Sequence, residues 1–89
     1  MDWAIRLTST AKKSLLKLDK AEAQRIMHFL RERIEPIDNP RSLGKALSGR
    51  LSTFWRYRIG DYRLICDIQD KQLIILVIRI GNRKDITGR

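Results

Sequence analysis

The chain has 89 residues, 43% of them hydrophobic, with 19 Lys+Arg against 10 Asp+Glu and a formal net charge of +9. That length suits one domain, spanning 1–89, with one core, and the apolar content argues against a disordered chain; a lone cysteine, Cys66, excludes an intrachain disulfide. The longest apolar run, Leu73 to Ile78, is far shorter than the ~20 residues of a membrane span, and Met1-Asp2-Trp3 lacks the basic-then-apolar layout of a signal peptide, so a cytoplasmic protein with no membrane partner is expected.

Trp3 to Leu7 alternates apolar and mixed residues and predicts a short first strand. Thr8-Ser9-Thr10 offers candidate N-caps, and Ala11, Leu15, Leu16 and Leu18 then recur at helical spacing, which predicts a helix from about Ser9 to Leu18. Asp19 with Glu22 resembles a capping box that opens a second helix. In that helix Ile26, Phe29, Leu30 and Ile34 form one stripe, Arg25, Arg31 and Glu32 point largely elsewhere, and Pro36 ends the run. Pro36 to Gly49 reads as a basic loop punctuated by Asp38-Asn39-Pro40 and Gly44.

The second half reads as strands. Leu51, Thr53, Trp55, Tyr57 and Ile59 alternate with Ser52, Phe54, Arg56 and Arg58, so the aromatic set can pack inward while Arg56 and Arg58 share the outer face. Gly60-Asp61 predicts a hairpin turn. Tyr62 to Ile68 follows, with Tyr62, Leu64, Cys66 and Ile68 on one face and Arg63, Ile65 and Asp67 on the other. Asp70-Lys71 is a second turn; Leu73 to Ile80 is a β-branched apolar run with the character of a central strand, ended by Gly81 and followed by the basic tail Asn82 to Arg89. The order β-α-α-β-β-β predicts an α+β fold: a helical hairpin on one face of a small twisted, mainly antiparallel sheet whose other face carries arginines.

Charge separates along the chain: residues 1–40 carry 8 basic and 6 acidic side chains, whereas residues 41–89 carry 11 and 4. A basic half points to a polyanion partner, set against the plainer reading of a solubilising surface. Enzyme templates are mostly absent. His28 and Cys66 are one histidine and one cysteine on distant elements, too few for a metal site, and Cys66 in an apolar strand reads as core. No Gly-rich phosphate loop occurs, and Asp61, Asp67, Asp70 and Asp85 have no spacing that forces a catalytic pair. What remains is a cluster of arginines with aromatics: Phe54, Trp55, Arg56, Tyr57, Arg58, Tyr62, Arg63, then Arg79, Arg83, Lys84 and Arg89. Guanidinium groups bind phosphates through paired donors, and interleaved rings stack on unpaired bases. Phe54 shares the face of Arg56 and is the better stacking candidate; Trp55 and Tyr57 lie on the apolar face. Basic side chains also protect an edge strand from aggregation, which is the alternative account of the cluster.

The segments Leu18-Asp19-Lys20, Leu43 to Gly49, Trp55 to Cys66 and Ile80 to Lys84 resemble the RelE/ParE superfamily of bacterial toxins across essentially the whole chain, with the W-R-Y-R-I-G-D-Y-R stretch the specific part. The resemblance implies a RelE-like, microbial-RNase-type fold and the toxin of a type II toxin–antitoxin system that cuts mRNA on the ribosome without cofactor or metal. It assigns catalytic positions to Arg56, Arg58, Arg63 and Arg83, and RNA binding extends over Phe54, Lys45, Arg50, Arg79, Lys84, Thr87 and Arg89. Arg58 stands where the family often has a lysine proposed as general base, and a guanidinium stays protonated. Thr87 stands where a stacking tyrosine is usual, which implies attenuated activity. Implied partners are the ribosome with its mRNA and a RelB-like antitoxin, with operator DNA reached only through the antitoxin. Two other functions fit the same chain: a ParE-like inhibitor of DNA gyrase and a passive RNA-binding module.

Overall fold

The computed structural model describes residues 2–47 and 54–82. Its elements run β1 (Ala4–Leu7), α1 (Ser9–Lys17), α2 (Lys20–Phe29), a π-helical turn (Leu30–Ile34), a 3-10 turn (Pro40–Ser42), β2 (Lys45–Ala46), β3 (Trp55–Ile59), β4 (Tyr62–Gln69) and β5 (Ile74–Asn82). The strands form one mixed sheet in the order β1-β5-β4-β3-β2. β1 lies parallel to β5, and the other three pairings are antiparallel. This is the expected α+β architecture, with α1 packed on β5 and α2 on β3.

Local chemistry explains the helix ends. The Thr8 hydroxyl caps α1 by accepting from the Ala11 N–H at 3.1 Å. Ala11, Leu15 and Leu18 turn toward the sheet at i, i+4 and i+7, whereas Leu16 is off that stripe and is exposed instead of joining the core. Asp19 does occupy the N-cap of α2, but its side chain makes no capping bond; Glu22 pairs with Arg25 at 3.8 Å instead, so the capping box does not form. Ile26, Leu30 and Ile34 are fully buried along the continuous stripe of α2 and the π turn, as their spacing predicts. Trp3 is buried beside this end, its N–H donating to the Glu35 carbonyl at 2.8 Å.

The Pro36 to Gly49 stretch is more than a loop, because Lys45 and Ala46 pair with Arg56 and Trp55 and add an edge strand. Two aromatics of β3 anchor it from the core side. Tyr57, fully buried, donates its hydroxyl to the Pro40 carbonyl at 2.6 Å, and Trp55 donates its indole N–H to the Leu43 carbonyl at 2.6 Å. Gly44 follows in a left-handed conformation (φ +76°), so close to β3 that a Cβ there would stand 2.3 Å from the Arg56 carbonyl oxygen. Phe29 of α2 tilts against Tyr57 with ring centroids 5.8 Å apart, completing the contact between helix and sheet.

β4 is the middle strand, and β5 is internal, as its apolar run predicts. β5 runs through Gly81 to Asn82 instead of stopping at Gly81. Its register with β4 shifts: Ile65 faces Arg79, but Cys66 faces Val77, so Ile78 is left over as a bulge. The Ile78 carbonyl accepts from the Thr8 hydroxyl at 2.7 Å. One side chain therefore caps α1 and ties the bulge to it. At the other end of the hairpin, Arg41 forks across both Asp70 carboxylate oxygens at 2.8 and 2.9 Å. That contact raises the Arg41 pKa and lowers that of Asp70.

Candidate nucleic-acid interface

Directly paired residues in a sheet project from the same face, so the register defines the surface opposite the helices. Lys45 pairs with Arg56, Arg56 with Ile65, and Ile65 with Arg79, which lays one row across β2, β3, β4 and β5. The next row is Arg58, Arg63 and Gly81. Arg6, paired with Leu76, adds a cation near the far edge; Asp67, next to Leu76 on β4, is the acidic member, bonded by the Gln69 amide at 3.0 Å. Five expected residues, Lys45, Arg56, Arg58, Arg63 and Arg79, thus meet on one face.

Arg79 is there because of the bulge. Ile75 and Val77 are buried on the helix side, so an unbroken alternation would send Arg79 into the core. The extra residue reverses the phase: Arg79 is exposed on the basic face and Ile80 is buried. Sequence alternation alone does not signal this reversal.

The face holds like charges against each other. Lys45 with Arg56, and Arg58 with Arg63, are direct cross-strand pairs, an arrangement that costs stability unless an anion or a hydrogen-bond acceptor offsets it. Arg63 differs from the exposed group that its sequence position suggests. It is only 8% exposed, and its guanidinium turns back to donate to the carbonyls of Gly60 (3.3 Å) and Tyr62 (3.1 Å). It stiffens the β3–β4 turn while contributing charge to the row. Arg58 and Lys45 are exposed and Arg56 is half-buried.

Phe54 stands one residue before β3, half-buried, its carbonyl accepting from the Leu47 N–H at 3.2 Å. Arg50, Arg83, Lys84, Thr87 and Arg89 lie outside the described residues. Cys66 is fully buried in the core, and burial pushes its thiol pKa up, which disfavours the thiolate. His28 is exposed on α2.

Residues 5–87 match the family model described as the ParE toxin of the type II toxin–antitoxin system parDE. Toxin RelG of Mycobacterium tuberculosis is 29% identical over 89 residues, covering all of both chains. Among solved structures, the RelBE2 toxin–antitoxin complex of Mycobacterium tuberculosis aligns with a TM-score of 0.78 at 27% identity over 93% of each chain. The archaeal RelE–RelB complex of Pyrococcus horikoshii aligns with a TM-score of 0.73 at 27% identity, over 97% of this chain and 100% of that one. With the helical hairpin, the mixed sheet and the family match in agreement, the chain belongs to the RelE/ParE superfamily as a toxin of a type II toxin–antitoxin system.

Proposed function

We propose that the protein is an endoribonuclease that cuts mRNA on the ribosome, with the open sheet face as its RNA-binding and catalytic surface. The observation that carries this reading is the pair of like-charged cross-strand contacts, Lys45 with Arg56 and Arg58 with Arg63, extended by Arg79. Such a surface is stabilised by an anionic strand. RNA brings its own nucleophile. The 2′-hydroxyl gives its proton to solvent as its oxygen attacks the adjacent phosphorus, the bond to the 5′-oxygen breaks, and that oxygen takes up a proton from solvent, leaving a 2′,3′-cyclic phosphate and a 5′-hydroxyl. The protein then has to align the strand and neutralise the charge that grows on the phosphoryl oxygens. Fixed guanidinium donors do this without reorganising, and alignment is worth up to ~7–11 kcal/mol in favourable intramolecular cases.

In this scheme Arg56 holds the scissile phosphate and Arg63, braced on the Gly60 and Tyr62 carbonyls, adds fixed charge beside it. Arg58 orients the 2′-hydroxyl; its permanently protonated guanidinium does not accept the proton. Arg83 serves the leaving-group side, and Phe54, Lys45, Arg50, Arg79, Lys84, Thr87 and Arg89 hold the flanking strand. A RelB-like antitoxin with an acidic, amphipathic segment neutralises the toxin by covering the arginines, and it alone contacts operator DNA. The site of action is the cytoplasm.

The test is a toeprint on ribosomes translating a defined message. The parent protein produces new message ends within the translated region, and Arg56→Ala lowers their rate on the order of a hundredfold. The match to the ParE family model gives gyrase inhibition as the second reading. Inhibited supercoiling by purified gyrase together with intact message would establish it in place of the nuclease.

A further inference from the structure

A second concentration of positive charge lies around the corner from the sheet face. A cleft of about 350 Å³ opens between the C-terminal half of α2, the π turn and the β3–β4 hairpin, lined by Arg25, His28, Phe29, Arg33, Arg58 and Gly60. Three arginines and a histidine therefore line one opening, and among the described residues no acidic residue does. Arg25 also meets the Glu22 carboxylate at 3.8 Å, a long contact in a pair open to solvent that holds it only weakly.

Two backbone features build the cleft. The first is the π turn, where the Glu35 N–H donates to the Leu30 carbonyl five residues back at 2.8 Å. Arg25, Phe29 and Arg33 follow one another at four-residue steps and all line the cleft, while Ile34 remains in the core. Single π turns inside helices concentrate at functional sites. The second is Gly60, in a left-handed conformation (φ +58°), where a Cβ would stand 2.9 Å from Arg25 Nη1. The bare turn lets the Arg25 guanidinium lie against it, while the Gly60 carbonyl accepts from Arg63 on the sheet side. Arg58 belongs to both surfaces, paired with Arg63 on the sheet and lining the cleft. The basic row is thus continuous around the edge of the hairpin.

We infer that this cleft is a second phosphate subsite, which takes a phosphodiester of an RNA backbone that has left the sheet face past Arg58. The inference rests on the RNA-directed reading of that face. Guanidinium forks match phosphate oxygens in pairs, and three arginines line this one opening. Continuity with the sheet row favours a long flexible polyanion over an isolated acidic side chain. The strand is either the message itself or ribosomal RNA, since both present the same phosphodiester.

The test compares the parent, Arg56→Ala and the double variant Arg25→Gln/Arg33→Gln, all as full chains. Both substituted groups of the double variant are exposed, so its thermal unfolding should match the parent's. Binding is read by fluorescence anisotropy on a short single-stranded 2′-O-methyl oligoribonucleotide, which has no free 2′-hydroxyl to react, and by cosedimentation with ribosomes, each across a salt series. Loss of that phosphate contact weakens oligonucleotide binding several-fold and lowers the magnitude of the salt slope by ~0.7, the single-strand value for one phosphate. That result supports the subsite with message as ligand. Weakened binding to ribosomes alone, with the same flattening of slope, supports it with ribosomal RNA as ligand. Unchanged affinity and slope on both partners, while Arg56→Ala weakens them, overturns the cleft and leaves the sheet-face reading intact. Weakened binding with an unchanged slope also overturns it, because the loss is then not electrostatic. A parent that binds neither RNA removes the sheet-face reading and the cleft with it.

Discussion

Gly44→Ala tests whether the loop preceding β2 is truly pressed against the strand that carries Arg56. Two costs add. A non-glycine residue held at φ +76° costs about 1–2 kcal/mol. The new methyl group would also meet the Arg56 carbonyl at 2.3 Å, Trp55 Nε1 at 2.8 Å and Tyr57 Cδ1 at 2.9 Å. The first is backbone and the other two belong to side chains anchored by hydrogen bonds to Leu43 and Pro40, so none yields freely, and overpacking of this kind costs ~1–3 kcal/mol. The sum, ~2–5 kcal/mol, is a large fraction of the ~4–13 kcal/mol expected for a domain of 89 residues. Each kcal/mol lowers Tm by ~4–8 °C at this size, so thermal unfolding of Gly44→Ala should drop by at least ~8 °C. Gly60→Ala is the control. Its φ of +58° carries the same strain, but the nearest neighbour of a Cβ is the guanidinium of Arg25, which can swing aside. It should lose only ~1–2 kcal/mol. Equal melting temperatures for the two variants, or a loss below ~1 kcal/mol in Gly44→Ala, would refute the close approach and with it the account of how Arg56 is positioned.

Three further outcomes follow from the same packing. Burial raises the pKa of the Cys66 thiol above its ordinary 9.0 and that of the Tyr57 phenol above its ordinary 10.0, so the unfolded chain releases these protons first as pH rises. Stability is then full below pH 9 and falls by ~1.4 kcal/mol per pH unit per group above each ordinary value; urea unfolding of Cys66→Ala should lose the onset near pH 9 and keep the one near pH 10. Thr8→Ala removes the cap of α1 and the bond to the bulged Ile78 carbonyl together, and should cost ~1–3 kcal/mol by urea unfolding, against the smaller loss expected of an isolated cap. Arg63→Ala should lose ~1–3 kcal/mol of stability as well as activity, because its guanidinium braces the β3–β4 turn, whereas Arg56→Ala and Arg58→Ala should stay within ~0.5 kcal/mol of the parent while losing RNA binding; similar stability in all three would mean the Arg63 contacts do not hold the turn.

The sequence made the alternation of β3 and β4 legible because each strand has one apolar face, so Arg56, Arg58 and Arg63 could be assigned to a common surface before any register was known. Helical spacing likewise exposed the buried stripe from Ile26 to Ile34. Other features left no such trace. A two-residue strand such as Lys45–Ala46 exists only because β3 offers it a partner, and its composition does not differ from a loop's. Arg63 reads as an exposed cation from its position in the strand, but the adjacent turn presents free carbonyls that draw its guanidinium inward. Asp19 and Glu22 have the spacing of a reciprocal cap, yet Arg25 is three residues further along and competes for the glutamate.

The bulge at Ile78 shows how far a single unpaired residue can decide the character of a surface. Without it, β5 would carry Arg79 toward a core of Ile75, Val77 and Cys66, where an unpaired guanidinium is costly. With it, the same arginine extends the row that begins at Lys45. The bulge is held from outside the sheet by Thr8, at the start of the helix that packs on β5, so the helical layer fixes the phase of the strand beneath it and thereby the charge on the opposite face. A sheet face assembled this way gathers cations that repel one another across β2, β3 and β4, and the fold tolerates the repulsion by anchoring those strands through Tyr57, Trp55 and the bulge instead of through the face itself. Core bonds supply the stability, which leaves the arginine face free to be organised for an anion that arrives later.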